Sequence, residues 1–288
     1  MRNLSEHDLT DAVEQRLQTT ADPRMKAIMT SLVRHLHDFV RDVELTEAEW
    51  FEAIRFLTDT GHACDDKRQE FILLSDTLGV SMLVDAINHR HPEGATESTV
   101  FGPFHREGAP TLPAGASIAG TTAGEPTFVS GRVTDTAGRP LAGALLDVWQ
   151  AAPNGLYDSQ DPEQGGLNLR GKFRTDADGR YAFQTVHPAN YPIPSDGPVG
   201  RMLRACGRHP YRPAHIHFIV SAAGHRPVTT HVFVDGDPYL DSDAVFAVKS
   251  SLVATFKRHD SPQEAAARKT TAPFYTVEYD FGLTGVRL

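Results

Sequence analysis

The hydrophobic pattern changes period near residue 95. That change divides the chain into a helical region, 1–95, and a β-rich region, 96–288. In the first region Met25, Ile28, Met29, Leu32, Val33, Leu36, Phe39 and Val40 recur at helical spacing after Asp22-Pro23. Thr46-Glu47-Ala48-Glu49 reads as a capping box. It opens a helix that carries Trp50, Ile54 and Leu57 on one side. Two further helices are predicted over 67–78 and 80–89, with Gly79 between them. Residues 92–126, rich in Gly, Pro, Ala and Thr, read as an irregular connector. From Thr127 onward, short runs of strand-forming residues are separated by turn sequences such as Thr136-Ala137-Gly138-Arg139-Pro140 and Asp176-Ala177-Asp178-Gly179. Strands are predicted over 127–135, 144–150, 173–175, 180–186, 215–220, 229–234 and 276–281, with one late helix over 243–257. The fold class that follows is α+β: N-terminal helices, then a two-sheet antiparallel β-sandwich.

Composition narrows the function. A net charge of -9 disfavours nucleic acid, which requires a basic face. No apolar run approaches the ~18 residues of a membrane span. The first residues, Met1-Arg2-Asn3-Leu4-Ser5-Glu6, lack the apolar core of a signal peptide. Cys64 and Cys206, far apart, suit two reduced thiols in a cytoplasmic protein.

The segment Arg212-Pro213-Ala214-His215-Ile216-His217 runs into the apolar Phe218-Ile219-Val220. On a strand, His215 and His217 point to the same face and can share a metal ion. Two tyrosines lie in unusual settings, Gly155-Leu156-Tyr157-Asp158 and Asn190-Tyr191-Pro192-Ile193-Pro194. The prolines stiffen the second loop. Taken singly, each residue has a plainer role. The histidines could face solvent or be satisfied in a core; Tyr157 could be a packing residue; Tyr191 could stiffen a loop. Arg212 could cap a strand at the surface, and Asp76 could be a helix-surface carboxylate. His35, His37, His89 and His91 read as surface residues.

Taken together, these segments resemble the intradiol ring-cleaving dioxygenases that act on catechols, over nearly the whole chain. The resemblance implies one non-haem iron(III) per subunit, bound by Tyr157, Tyr191, His215 and His217. Tyr157 and His217 would be equatorial, Tyr191 and His215 axial. It implies that a catechol-type diol is cleaved with O2 between its hydroxyl-bearing carbons. Both oxygen atoms enter a muconate-type diacid. It makes Tyr191 a proton acceptor and Arg212 the cation that stabilises developing negative charge. The segments Glu97-Ser98-Thr99-Val100-Phe101-Gly102-Pro103-Phe104 and 81–89 look like the branch that cleaves hydroxyquinol (1,2,4-trihydroxybenzene). By the same resemblance the substrate pocket is lined by Leu73, Asp76, Val100, Phe101, Gly102, Pro103, Phe104, Ile193, Pro194, Arg212, His231 and Val245. Asp76 would bond the third hydroxyl. The catechol branch, a non-catalytic binding sandwich and a zinc hydrolase remain competing readings. Zinc prefers His, Cys and carboxylate ligands, and no matching carboxylate is present. The long apolar stripe of the 23–42 helix predicts a homodimer. The resemblance adds a channel at that interface able to hold a lipid-like molecule.

Overall fold

The computed structural model describes residues 3–65, 68–90 and 92–286. Met1, Arg2, Lys67 (the predicted start of a helix) and His91 lie outside them. Contacts group the chain into two compact units, Met1–Asp59 and Thr60–Leu288.

The first unit holds α1 (Leu9–Leu17), α2 (Pro23–Asp42) and most of α3 (Glu47–His62). Asp22 caps α2, its Oδ1 accepting from the N–H groups of Arg24 at 2.7 Å and Met25 at 3.1 Å. Pro23 takes the first turn, where its missing N–H does no harm. The capping box of α3 is made in both directions. Thr46 N–H donates to Glu49 Oε2 at 2.9 Å, and Glu49 N–H to Thr46 Oγ1 at 3.3 Å. The sequence pattern did not reveal α1. It packs on α2 through Glu14–Arg34, at 2.9 Å, and through Thr10 and His37. His35 is exposed and His37 half-buried. The α2 stripe of Met25, Ile28, Leu32, Leu36 and Phe39 is about half exposed.

In the second unit α4 (Glu70–Thr77) and α5 (Val80–Asn88) flank Gly79, whose φ of +74° a glycine adopts freely. His89, just past α5, is largely exposed and meets Asp85 at 2.7 Å. The connector 92–125 is irregular, as expected. Among the described residues, the strands then form two five-stranded sheets and a two-stranded ribbon.

The first sheet is built on β1 (Pro126–Asp135), which pairs with β4 (Arg180–Val186), β11 (Phe274–Glu278) and β12 (Phe281–Leu283). β10 (Lys257–His259) extends it beyond β11. The second sheet runs β3 (Arg170–Arg174), β2 (Leu145–Trp149), β7 (His215–Ser221), β8 (Val228–Val234) and β9 (Val253–Ala254). Val133, Leu146, Phe173, Phe183, Phe218 and Phe281 fill the space between the sheets.

Three expectations need correction. The sandwich is mixed rather than purely antiparallel, because β1 runs parallel to β11 and β12, and β8 parallel to β9. Periodicity reports which residues face the core and carries no information on strand direction. The predicted strand over 276–281 is two strands, broken at Tyr279-Asp280. The Tyr279 carbonyl passes so close to Gly131 that a Cβ there would lie 1.9 Å from it. No helix forms over 243–257. The Asp243 carboxylate accepts from the N–H groups of Val245 at 3.3 Å and Ala247 at 3.0 Å, replacing helical bonds. Phe246 has φ +59°, and only a short 3-10 turn, Ser250–Leu252, follows. The late helices are α6 (Pro198–Ala205) and α7 (Pro262–Ala267), each with proline in its first turn.

Candidate metal centre

β7 presents His215 and His217 on one face, as period two requires, and β8 sets His231 directly opposite His217. The two-residue strands β5 (Tyr191–Pro192) and β6 (Tyr211–Arg212) bring Tyr191 opposite Arg212. Tyr157 enters from a turn after β2, its N–H donating to Gln160 Oε1 at 3.0 Å. Gly155 makes that turn possible: its φ is +81°, and a Cβ there would stand 3.0 Å from the Tyr191 Cβ.

Four donor atoms converge. Tyr157 Oη lies 3.0 Å from Tyr191 Oη and 2.9 Å from His217 Nε2. His215 Nε2 lies 3.1 Å from His217 Nε2 and 3.5 Å from Tyr191 Oη. Ligands about 2.1 Å from a common ion, at 90–110° to one another, stand roughly 3.0–3.4 Å apart, so this set has the spacing of a metal cage. All four side chains are buried. His215 Nδ1 is 2.7 Å from the Pro213 carbonyl, which fixes that nitrogen as the N–H donor and leaves the Nε2 lone pair for the centre. His217 stacks on Trp149 at 4.6 Å, and Tyr157 stacks on Phe104 at 4.5 Å.

Electrostatics agree with this geometry. Burial pushes the imidazoles of His215, His217 and His231 well below their ordinary pKa, and the Arg212 charge adds to the effect, so all three are neutral. Burial, with the neighbouring phenol, raises Tyr157 well above 10.0; Arg212 and Arg170 pull the other way. Burial likewise raises Tyr191, again opposed by Arg212. Two buried phenols become phenolates only beside a strong positive charge, which a trivalent ion held among them would supply.

Arg212 is buried and not at the surface. Its Nη1 stands 3.4 Å from His215 Nε2, and its Nε donates to Asp243 Oδ1 at 3.1 Å. Burial disfavours its charge, but Asp243 and the two phenols outweigh that and hold its pKa above that of a free guanidinium.

A cleft of about 880 Å³ adjoins the centre. Of the residues predicted for the pocket, Leu73, Asp76, Pro103, Phe104, Ile193 and Pro194 line it. Asp76 is only 5% exposed, so it is no surface carboxylate; burial raises its pKa, while Ser81 and Arg212 lower it. Val100 and Val245 are buried in one cluster with Leu73 and Ile193, a layer beneath the wall. Phe101 is half exposed and packs against His105 and Trp149. Gly102, at φ +75°, lies against His217, where a Cβ would be 3.2 Å from Cε1. His231 is wholly buried beside His217, with its Nδ1 on Thr99 Oγ1, and belongs to the histidine cluster rather than to the cleft lining. Sequence reasoning missed Asp243, Trp149, Gln160 and the buried Arg170–Asp158 pair beside Tyr157. Nothing local to Asp243 marks it, since its partner lies 31 residues away. Asp158, next in chain to a candidate ligand, was the one of these with a local signal.

No helix among the described residues is long and apolar enough to cross a membrane. Residues 101–285 match the family model described as Dioxygenase, and 22–96 the model described as Catechol dioxygenase N terminus. The chain is 53% identical to a 6-chlorohydroxyquinol 1,2-dioxygenase of Cupriavidus pinatubonensis, over 98% of this chain and 99% of that one. It is 54% identical to a hydroxyquinol 1,2-dioxygenase of a Rhizobium species, over 95% and 93%. The solved structure of hydroxyquinol 1,2-dioxygenase from Pseudomonas putida superposes with a TM-score of 0.92 at 55% identity, covering 98% of this chain and 99% of that one. Similarity at this level over both units, together with the buried tyrosine–histidine centre, places the chain in the intradiol ring-cleavage dioxygenase family.

Proposed function

We propose that this protein is a non-haem iron(III) dioxygenase that cleaves hydroxyquinol with O2 to 3-hydroxy-cis,cis-muconate, the enol form of maleylacetate. The observation that carries the reading is the convergence of Tyr157 Oη, Tyr191 Oη, His215 Nε2 and His217 Nε2 within 3.5 Å of their neighbours, in a buried centre beside an open cleft. Two phenolates and two neutral imidazoles suit a hard oxidised ion; bound there, iron(III) supplies Lewis-acid pull on a diol held through its oxygens. The chain's own groups do the rest. Tyr191 Oη takes a proton from the incoming diol. Arg212, always charged and held by Asp243, stabilises the negative charge that develops on the ring. Leu73, Pro103, Phe104, Ile193 and Pro194 give the ring an apolar wall and exclude water from it. Asp76 offers the third hydroxyl of hydroxyquinol a hydrogen-bond partner. A substrate without that hydroxyl leaves the buried carboxyl with Ser81 but without the partner the substrate would supply.

Residues 96–288 act as the catalytic domain and 1–95 as a helical dimerisation region, whose α4 also lends Leu73 and Asp76 to the cleft. The exposed apolar stripe of α2 supports a homodimer, and the family resemblance adds a lipid-like molecule at its seam. A cytoplasmic location fits the two free cysteines.

The test is aerobic incubation with 1,2,4-trihydroxybenzene and catechol, with product identification, a visible spectrum and metal analysis. We expect a wine-red protein, one iron per chain, and the higher kcat/KM for hydroxyquinol. A colourless, zinc-loaded protein from iron-supplied cells would sink the metal assignment. Better turnover of catechol would move the substrate to the catechol branch.

A further inference from the structure

Tyr191 stands on a slight support. The ribbon that carries it, Tyr191–Pro192 against Tyr211–Arg212, is two residues long on each side, and a ribbon so short has little stability of its own. Beyond its end, a single carboxylate oxygen joins the two chains. Asp237 Oδ2 accepts from Asn190 Nδ2 at 3.1 Å and from the Ala214 N–H at 3.1 Å. Asn190 precedes Tyr191, and Ala214 precedes His215. Asp237 is itself anchored: its Oδ1 accepts from the Tyr239 N–H at 2.9 Å, and its own N–H donates to the Val234 carbonyl at 3.3 Å. On this side of the loop lies a recess of about 500 Å³ lined by His187, Pro188, Asn190, Ala214 and Asp237. The loop therefore has open space on the Asn190 side, while the Tyr191 ring packs on the other with Trp149, Ala151 and Tyr157.

We propose that Asp237 and Asn190 are positioning residues: a latch that ties the Tyr191 loop to the strand bearing His215 and sets how firmly the Tyr191 phenol is held at the centre. The proposal rests on the reading of Tyr191 and His215 as metal ligands. Groups that orient metal ligands typically contribute 10- to 100-fold to metal affinity or activity. Cutting the Asn190 side of the latch removes one such constraint while leaving Ala214 bonded to Asp237.

The experiment uses the full-length protein purified from iron-supplied cells, with Asn190→Ala, Asp237→Ala and the control Asp235→Asn. Asp235 is exposed, on the same turn, and among the described residues its carboxylate meets Thr255 Oγ1 alone, at 3.4 Å. Three quantities are read on each protein: the resting visible spectrum, the rate of iron loss to a chelator, and the thermal midpoint. We expect Asn190→Ala to weaken or shift the tyrosinate–iron band and to release iron about tenfold faster than the parent. Asp237→Ala should do at least as much, and Asp235→Asn should match the parent. A parental spectrum and parental iron loss in Asn190→Ala overturn the latch. So does a lowered thermal midpoint with both metal readouts unchanged, which marks a merely structural role. If Asp237→Ala does not fold, Asn190→Ala decides the matter alone. A parent with neither iron nor colour refutes the ligand reading itself, and the latch falls with it.

Discussion

Replacing Asp243 by alanine removes the counter-ion of a buried guanidinium, and the structure sets the size of the effect. Asp243 is 5% exposed and Arg212 3%. The carboxylate accepts from Arg212 Nε at 3.1 Å and Nη2 at 3.4 Å, and from the N–H groups of Val245 and Ala247. Arg212 cannot shed its charge, so truncation leaves a buried cation without its hydrogen-bonded carboxylate. Breaking such a pair from one side costs about 3–5 kcal/mol. The two backbone donors lose their acceptor as well, which places the total near the upper part of that range. At roughly 2–4 °C per kcal/mol for a unit of this size, the thermal midpoint should fall by about 10 °C or more. Asp243→Asn keeps the shape and one acceptor oxygen while removing the charge, so it should lose about half as much. The functional consequence is separate. With Arg212 no longer held 3.4 Å from His215 Nε2, kcat should fall by about 10- to 100-fold with a smaller change in KM. Urea and thermal denaturation followed by fluorescence measure the first effect, and steady-state kinetics with hydroxyquinol the second. If both variants stay within about 0.5 kcal/mol of the parent, the range of ordinary surface substitutions, the pair does not anchor Arg212 and the reasoning fails.

Tyr157→Phe should change the visible band and lower activity by at least about 100-fold, since under the proposed reading it removes a ligand rather than a supporting partner; a parental spectrum would exclude Tyr157 from the centre. Asp76→Asn should lower the preference for hydroxyquinol over catechol by about tenfold, the worth of a hydrogen bond to a charged group, and an unchanged kcat/KM ratio would end the proposed role. The same variant carries a pH signature. Burial holds the Asp76 carboxyl above its ordinary 3.8, so the folded protein binds that proton more tightly than the unfolded chain does. The stability this contributes is whole below pH 3.8 and is lost as pH rises through the folded value. Asp76→Asn, which has no such proton to lose, should therefore gain on the parent as pH rises from about 4 to 7; denaturation midpoints at both ends of that interval would show a constant gap if Asp76 were solvated. Light scattering at micromolar concentration should give a dimer for the full chain and a monomer after deletion of residues 1–45. A dimer that survives the deletion would put the interface elsewhere.

What was legible in the sequence is what periodicity and local chemistry encode. The capping box at Thr46, the helices on either side of Gly79, and six of the seven predicted strands lie within about three residues of their predicted limits, because caps, turns and alternation act over a few neighbours; the short β5, β6, β9 and β10 carried no such signal. His215 and His217 share a face for the same reason. Local reasoning failed where a distant partner overrode the local signal. The apolar run after Asp243 reads as a helix, yet the Asp243 side chain takes two of its backbone donors and the segment packs in the cluster around Phe233. The parallel pairing of β1 with β11 and β12 depends on a crossover that alternation does not record.

The candidate site divides in the same way. The sequence determined its donor types, their order, and the pairing of two imidazoles on one strand. Only the tertiary structure decided that Tyr157 and Tyr191, 34 residues apart, meet at 3.0 Å, and that the buried Arg212 finds Asp243, 31 residues further on. It also decided that Asp76 is buried in the cleft wall and that His231 completes the histidine cluster. Burial and charge pairing are properties of groups brought together from distant points of the chain, so they arise only when the two sheets close over a common core.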